Sequence, residues 1–237
     1  MGLLGIQDPT LLFLVAISLI FALSVHEAAH AMVAYICGDE TAYRMGRLTL
    51  NPLKHLDPIG SLMILFIGFG YAKPVPVNPY NLTNRRIDMI KVAAAGPISN
   101  FILSFLAIFT FVLCVKLSIF PEGVDISKGY YFANMKNMNL FIFFIYFITI
   151  NTYLGLFNLL PIYPLDGGQI FGNFIGKYNP YLFKQLNLYG PKILIGMILL
   201  SLLTQGKVSF IRWLIEIPAE FIIKLFTIIS DTLLFFI

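Results

Sequence analysis

Charge is scarce in this sequence. Only 12% of its 237 residues are Asp, Glu, Lys or Arg, while 58% are hydrophobic; globular domains carry roughly one-quarter charged residues. A water-soluble fold would have to hide nearly all of its surface, so the composition argues for the bilayer as solvent. No charged residue falls between Pro9 and Val25 or between Val92 and Val115, runs too long for an ordinary buried core helix. Cysteine is nearly absent: Cys37 and Cys114 are the two present, and the topology below places them near opposite membrane faces, which argues against a disulfide. The first nine residues contain no Lys or Arg, so the basic region that opens a signal peptide is missing and the first apolar run reads as a retained span. The net charge of +4 comes from residues scattered in loops; without a basic face there is no case for a nucleic-acid partner.

The apolar blocks predict spans near residues 10–37, 89–116, 139–160, 188–204 and 209–229, each close to or above the ~20 residues that cross a hydrocarbon core. The stretch from Ile59 to Tyr71 is apolar but short, and Gly60, Gly68 and Gly70 interrupt it, so it suits a re-entrant or interfacial element. Residues 38–91 hold Arg44, Arg47, Lys54, Lys73, Arg85, Arg86 and Lys91 of the sixteen Lys and Arg, which predicts a cytoplasmic segment. The loop 117–138 balances Lys128 and Lys136 against Glu122 and Asp125. The N-terminus is then expected outside and the C-terminus inside, in a multi-pass protein of the cell membrane. Tyr43 to Leu50 and Lys73 to Val77 are rich in strand formers, glycine and proline, which suggests a small β element at the membrane surface. The predicted fold class is an all-α polytopic membrane protein, with about five to six transmembrane helices and a small membrane-associated β element.

Chemistry concentrates in the first span, in Ser24-Val25-His26-Glu27-Ala28-Ala29-His30. Residues four apart on a helix share a face, so His26 and His30 can hold one metal ion, and Glu27 is placed to act on a metal-bound water without ligating. A charged residue at the centre of a span costs on the order of 3 kcal/mol, so it is seldom kept without a partner or a cavity. The helical rise places His30 and His26 roughly 10 and 16 Å inside the end near Cys37, and hydrolysis at that depth demands a polar cavity open to the cytoplasm. A catalytic zinc usually takes three protein ligands. The acid lying deep in or at the inner end of another span is Asp166, in Asn158-Leu159-Leu160-Pro161-Ile162-Tyr163-Pro164-Leu165-Asp166-Gly167-Gly168. Pro161 and Pro164 break that helix, tolerable at membrane depth where protein or a water-filled cavity satisfies the freed backbone.

HExxH in one span and N-x-x-P-x-x-P-L-D-G in a later one resemble the site-2 protease family of intramembrane zinc metalloproteases. The resemblance extends to Lys73-Pro74-Val75-Pro76-Val77-Asn78 and Ala95-Gly96-Pro97-Ile98-Ser99-Asn100 and covers most of residues 10–172. It implies one intramembrane metalloprotease domain over 1–237, with core 10–172 and additional C-terminal spans over 188–237, in a short form lacking PDZ and CBS domains. It further implies one Zn2+ per chain on His26, His30 and Asp166, Glu27 as general base, Asn158 as a stabiliser of the developing oxyanion, and a transmembrane protein or peptide substrate. A substrate helix hides its carbonyls and must unwind before attack. The Lys73–Val77 segment is a candidate to hold the unwound strand by edge pairing, although Pro74 and Pro76 limit its amides.

Gly96, Pro97 and Asn100 follow Ala93-Ala94-Ala95 and read first as close-packing residues. His55 reads as a surface residue. The alternative function is a metal or ion transporter using His26, Glu27, His30 and Asp166 as its transport site, but the outer halves of the spans are featureless and no inverted repeat is visible. A purely structural zinc would normally be closed by four protein ligands, and three are found.

Overall fold

The computed structural model describes residues 3–67, 70–120, 137–204 and 210–235. Eight helices follow in chain order: α1 (Pro9–Ile36), α2 (Thr41–Arg44), α3 (Pro58–Ile67), α4 (Arg85–Lys116), α5 (Met138–Asn158), α6 (Asp166–Ile175), α7 (Pro180–Leu203) and α8 (Phe210–Leu233), with short 3-10 turns at Leu3–Gly5 and Pro52–Lys54. Three long helices begin on side-chain caps that claim otherwise orphaned amides. Asp8 accepts from Thr10 ahead of α1, Asn84 from Ile87 ahead of α4, and Asn179 from Leu182 ahead of α7. Pro9 and Pro180 occupy first helical positions, where no amide is needed.

Among the described residues, α1, α4, α5 and α7 are long and apolar enough to cross a membrane. The span predicted over 209–229 is not confirmed: its residues from 210 onward lie in helix α8, which carries Glu216, Glu220 and Lys224 and is not among these four. Charges at a helix centre are each worth about 3 kcal/mol against insertion. Of the predicted loop 117–138, residues 121–136 lie outside the described residues.

The central bundle is α1, α4 and α5, mutually packed, with α6 against α4 and α8 against α4 and α5. Its interior joins polar groups, while large apolar side chains such as Phe13, Ile17, Ile98 and Ile102 face outward, the distribution expected where the surroundings are apolar. Asn100 donates to Asn151 Oδ1 at 3.0 Å and to the Ala22 carbonyl at 3.3 Å, so one carboxamide ties all three helices. Ser104 and Thr152 pair at 2.7 Å one turn further along. Beyond them the core turns apolar, with Ile108, Phe111, Phe120, Phe141, Phe144 and Ile148 in one cluster. The Phe111 and Phe120 rings stack with centroids 5.3 Å apart.

No strand forms among the described residues; an isolated bridge joins Leu56 and Ala72. The expected β element fails for a donor reason. Pro74 and Pro76 have no amide, the Lys73 amide is taken by the His55 carbonyl at 2.7 Å, and the Asn78 amide by the Asp39 carboxylate at 2.7 Å. Of the apolar stretch 59–71, residues 59–67 lie in the ten-residue helix α3, about 15 Å long at the helical rise and so too short to cross. Gly60 and Gly70 abut where the chain returns beside it: a side chain on either would overlap the backbone opposite. Residues 68–69 lie outside the described residues.

His55 is also corrected. It is 0% exposed, with Nε2 on the Thr49 carbonyl at 2.7 Å, so it is an internal strut of the loop and stands apart from the metal-ligating cluster.

Candidate metal centre

The antiparallel packing of α1 and α4 sets His26 opposite Asn100 and His30 opposite Val92. His26 Nδ1 lies 2.6 Å from Asn100 Oδ1, and His30 Nδ1 lies 2.7 Å from the Val92 carbonyl oxygen. Both partners are acceptors, because the Asn100 amide nitrogen is committed to Ala22 and Asn151. Each Nδ1 therefore carries the proton and donates, leaving each Nε2 a lone pair.

The two Nε2 atoms converge on Asp166 Oδ2, at 3.1 Å from His26 and 3.4 Å from His30. The turn that carries Asp166 explains its Gly-Gly sequel. Any side chain on Gly167 would overlap the Leu159 and Leu160 carbonyls, and one on Gly168 would overlap the backbone at Ile162 and Tyr163. Helix α6 thus begins folded tightly back on the end of α5, and its packing on α4 delivers Asp166 to the histidines. The Tyr163–Pro164 bond within this turn is cis.

His26, His30 and Asp166 offer ligand atoms within 4.8 Å of one another. Two imidazole lone pairs and a carboxylate facing each other are mutually repulsive without a cation between them, and this donor set is that of a catalytic zinc with a position left open. Gly96 supports the same fit from the α4 side. A methyl group there would stand 2.5 Å from His30 Nε2 and against His26 Nε2 as well, so only glycine leaves the space that the two ligand atoms face.

The site belongs to a family. Peptidase family M50 matches residues 13–202. The chain belongs to that family, the site-2 proteases, and is a zinc metalloprotease. It is 38% identical over 224 residues to "Putative zinc metalloprotease YwhC" of Bacillus subtilis, covering 92% of this chain and 93% of that protein. It is also 33% identical over 93 residues to "Putative zinc metalloprotease Rip2" of Mycolicibacterium smegmatis, covering 37% of this chain and 35% of that one. No solved structure matches the chain. The transporter alternative is set aside by this family membership.

The structure places the other residues singled out in the sequence as follows. Glu27 is buried, and its Oε2 accepts from the Val75 amide at 3.1 Å. Asn158 donates to the Leu154 carbonyl of its own helix at 3.0 Å, so no bond joins it to the His26, His30 and Asp166 cluster. Asn100, read first as a packing residue, does tie the helices together and in addition holds His26 Nδ1. The signal available in the sequence was the company it keeps: a carboxamide one turn after Gly96, in a span that had to pack on the HExxH helix. Arg47, counted in the sequence as one of many loop cations, is only 5% exposed and bonds the carbonyls of Lys73 and Pro74. Its burial pulls the guanidinium below its usual pKa, and the Glu27 charge pulls it back up. A groove of about 600 Å³ runs beside α6, lined by Arg85, Arg86, Tyr163, Gln169 and Asn173; Tyr163 and Gln169 flank Asp166 in the chain.

Proposed function

We propose that this zinc metalloprotease is an intramembrane endopeptidase that hydrolyses peptide bonds in or near the transmembrane segments of membrane-anchored proteins. The observation that carries the reading is the placement of the His26, His30 and Asp166 cluster with Glu27 on the buried face of α1, a helix long and apolar enough to cross a bilayer. One zinc ion per chain would be held by His26 Nε2, His30 Nε2 and the Asp166 carboxylate, and would supply Lewis acidity that polarises a carbonyl and acidifies water.

The chain's own residues do the rest. Glu27 takes a proton from the attacking water and returns it to the leaving amine. The Val75 amide holds Glu27 Oε2, which leaves Oε1 for proton transfer. Asn100 and the Val92 carbonyl keep both imidazoles in the tautomer that points Nε2 at the metal. Asn158 spends one amide hydrogen on Leu154, and we assign its second to the developing oxyanion. Water reaches this depth through an opening on the cytoplasmic side, with the N-terminus outside, in the orientation that the Lys and Arg of residues 38–91 favour. The substrate is a transmembrane helix unwound at the scissile bond.

The test is zinc content and cleavage of a model transmembrane substrate by wild type and Glu27→Gln. Equal zinc with cleavage by wild type alone supports the reading. Cleavage by the variant at the wild-type rate removes Glu27 from the mechanism, and a wild type that cuts only soluble peptides removes the intramembrane substrate.

A further inference from the structure

Between Lys73 and Val77 the chain reads Lys-Pro-Val-Pro-Val. Proline has no amide hydrogen, so Val75 owns the one backbone donor of the Pro74–Pro76 run. That donor goes to Glu27 Oε2 at 3.1 Å. The segment is held from outside as well. Arg47 Nη2 donates to the Lys73 carbonyl and Nη1 to the Pro74 carbonyl at 3.3 Å, while Asp39 accepts from the Asn78 amide at 2.7 Å. Arg47 is buried with its Nε unpartnered and with no carboxylate in ion-pair contact among the described residues. A buried cation whose hydrogen bonds go to backbone carbonyls is costly, and the nearby Glu27 charge offsets part of that cost.

We infer that Arg47 is a positioning residue for the reaction: by clamping the Lys73 and Pro74 carbonyls it aims the Val75 amide at Glu27 and so fixes the carboxylate for proton transfer. The planar fork of the guanidinium grips two successive carbonyls, and the second, that of Pro74, lies in the same planar peptide unit as the Val75 amide. A consequence reaches the substrate. Lys73, Val75 and Asn78 have their amides engaged, so an unwound substrate strand cannot use this segment as a full edge; it is left with the Val77 amide and the outward carbonyls. The segment's first task is the base.

The inference rests on Glu27 being the base, and the experiment separates the two. The full chain is purified in detergent as wild type, Arg47→Ala, Arg47→Lys, Val75→Pro and Glu27→Gln. Zinc content is measured for each, and kcat and KM for a model transmembrane substrate. The expected result is a fall in kcat of about 100-fold in Arg47→Ala, the scale of an ångström-sized misplacement of a reacting group, with KM and zinc content unchanged. Arg47→Lys, which can still grip one carbonyl, recovers part of the loss. Val75→Pro, which keeps the clamp and deletes the donor, reproduces it. If Arg47→Ala fails to accumulate, Val75→Pro decides. A rise in KM with kcat intact, loss of zinc in step with kcat, or full activity in Val75→Pro overturns the inference. Wild-type cleavage by Glu27→Gln instead overturns the base itself, whatever Arg47 does.

Discussion

Replacing Gly96 with alanine should cost this enzyme its metal, and the opposing effects can be weighed. Taken as a helix residue alone, alanine is favoured over glycine by about 0.5–1 kcal/mol, so α4 itself gains from the change. The added methyl would stand 2.5 Å from His30 Nε2 and 2.6 Å from His26 Cε1, against an ordinary van der Waals approach of about 3.5 Å. Both rings must therefore retreat by around an ångström. They are not free to do so, because His26 is held by Asn100 at 2.6 Å and His30 by the Val92 carbonyl at 2.7 Å. Losing such an orienting bond typically lowers metal affinity by about 10–100-fold. Two rings displaced together give about 10²–10⁴, or roughly 3–6 kcal/mol at 1.4 kcal/mol per decade. The loss outweighs the helix gain several-fold. Zinc retention against a graded chelator, with helix content followed by circular dichroism, checks it: Gly96→Ala should fold as well as wild type and release zinc at much lower chelator concentration. A variant that keeps its zinc and cleaves normally would refute the claim that Gly96 makes room for the centre.

Asn100→Ala should weaken zinc binding by about 10–100-fold, whereas Asn100→Asp, which keeps an acceptor for His26 Nδ1, should retain most of it in the same chelator titration. Asp166→Asn should lose zinc while leaving helix content unchanged, since its carboxylate is one of three converging ligand groups. Asp39 gives a pH test. Burial pushes its carboxyl up, but hydrogen bonds from Thr41, Asn81 and Asn78 more than offset this and hold it below its usual value. A depressed folded pKa contributes stability that is fully present above the unfolded value of about 3.9 and is lost as pH falls through the folded one. Thermal unfolding of wild type should therefore weaken more steeply than that of Asp39→Asn on acidification below about pH 4; parallel curves would show that the Asp39 bonds add nothing.

Much of the centre was legible in one dimension because helical periodicity is a local law. His26 and His30 share a face wherever a helix forms, and a Glu in an uncharged span needs a reason to be there. Asp166 could be inferred from its place in the Pro-Leu-Asp-Gly run after a broken apolar helix, the second of the two motifs. The spans of α1, α4 and α5 were equally readable from apolar length. The failures have a common cause. The span over 209–229 was read from average apolarity, which passes over the charges at Glu216, Glu220 and Lys224. The β element was read from residue type, while its hydrogen bonds went to His55, Glu27 and Asp39, partners that only folding supplies. His55 was assigned to the surface by polarity and loop position, and Arg47 was only counted among loop cations, yet both are buried, because burial is decided by what packs over a residue. Apolar length and helical periodicity thus made the long apolar helices and the candidate ligands His26, His30 and Asp166 legible in one dimension. Tertiary structure alone decided which imidazole nitrogens face Asp166, why position 96 must be glycine, and that a buried arginine reaches Glu27 through one amide, because each depends on contacts between segments far apart in the chain.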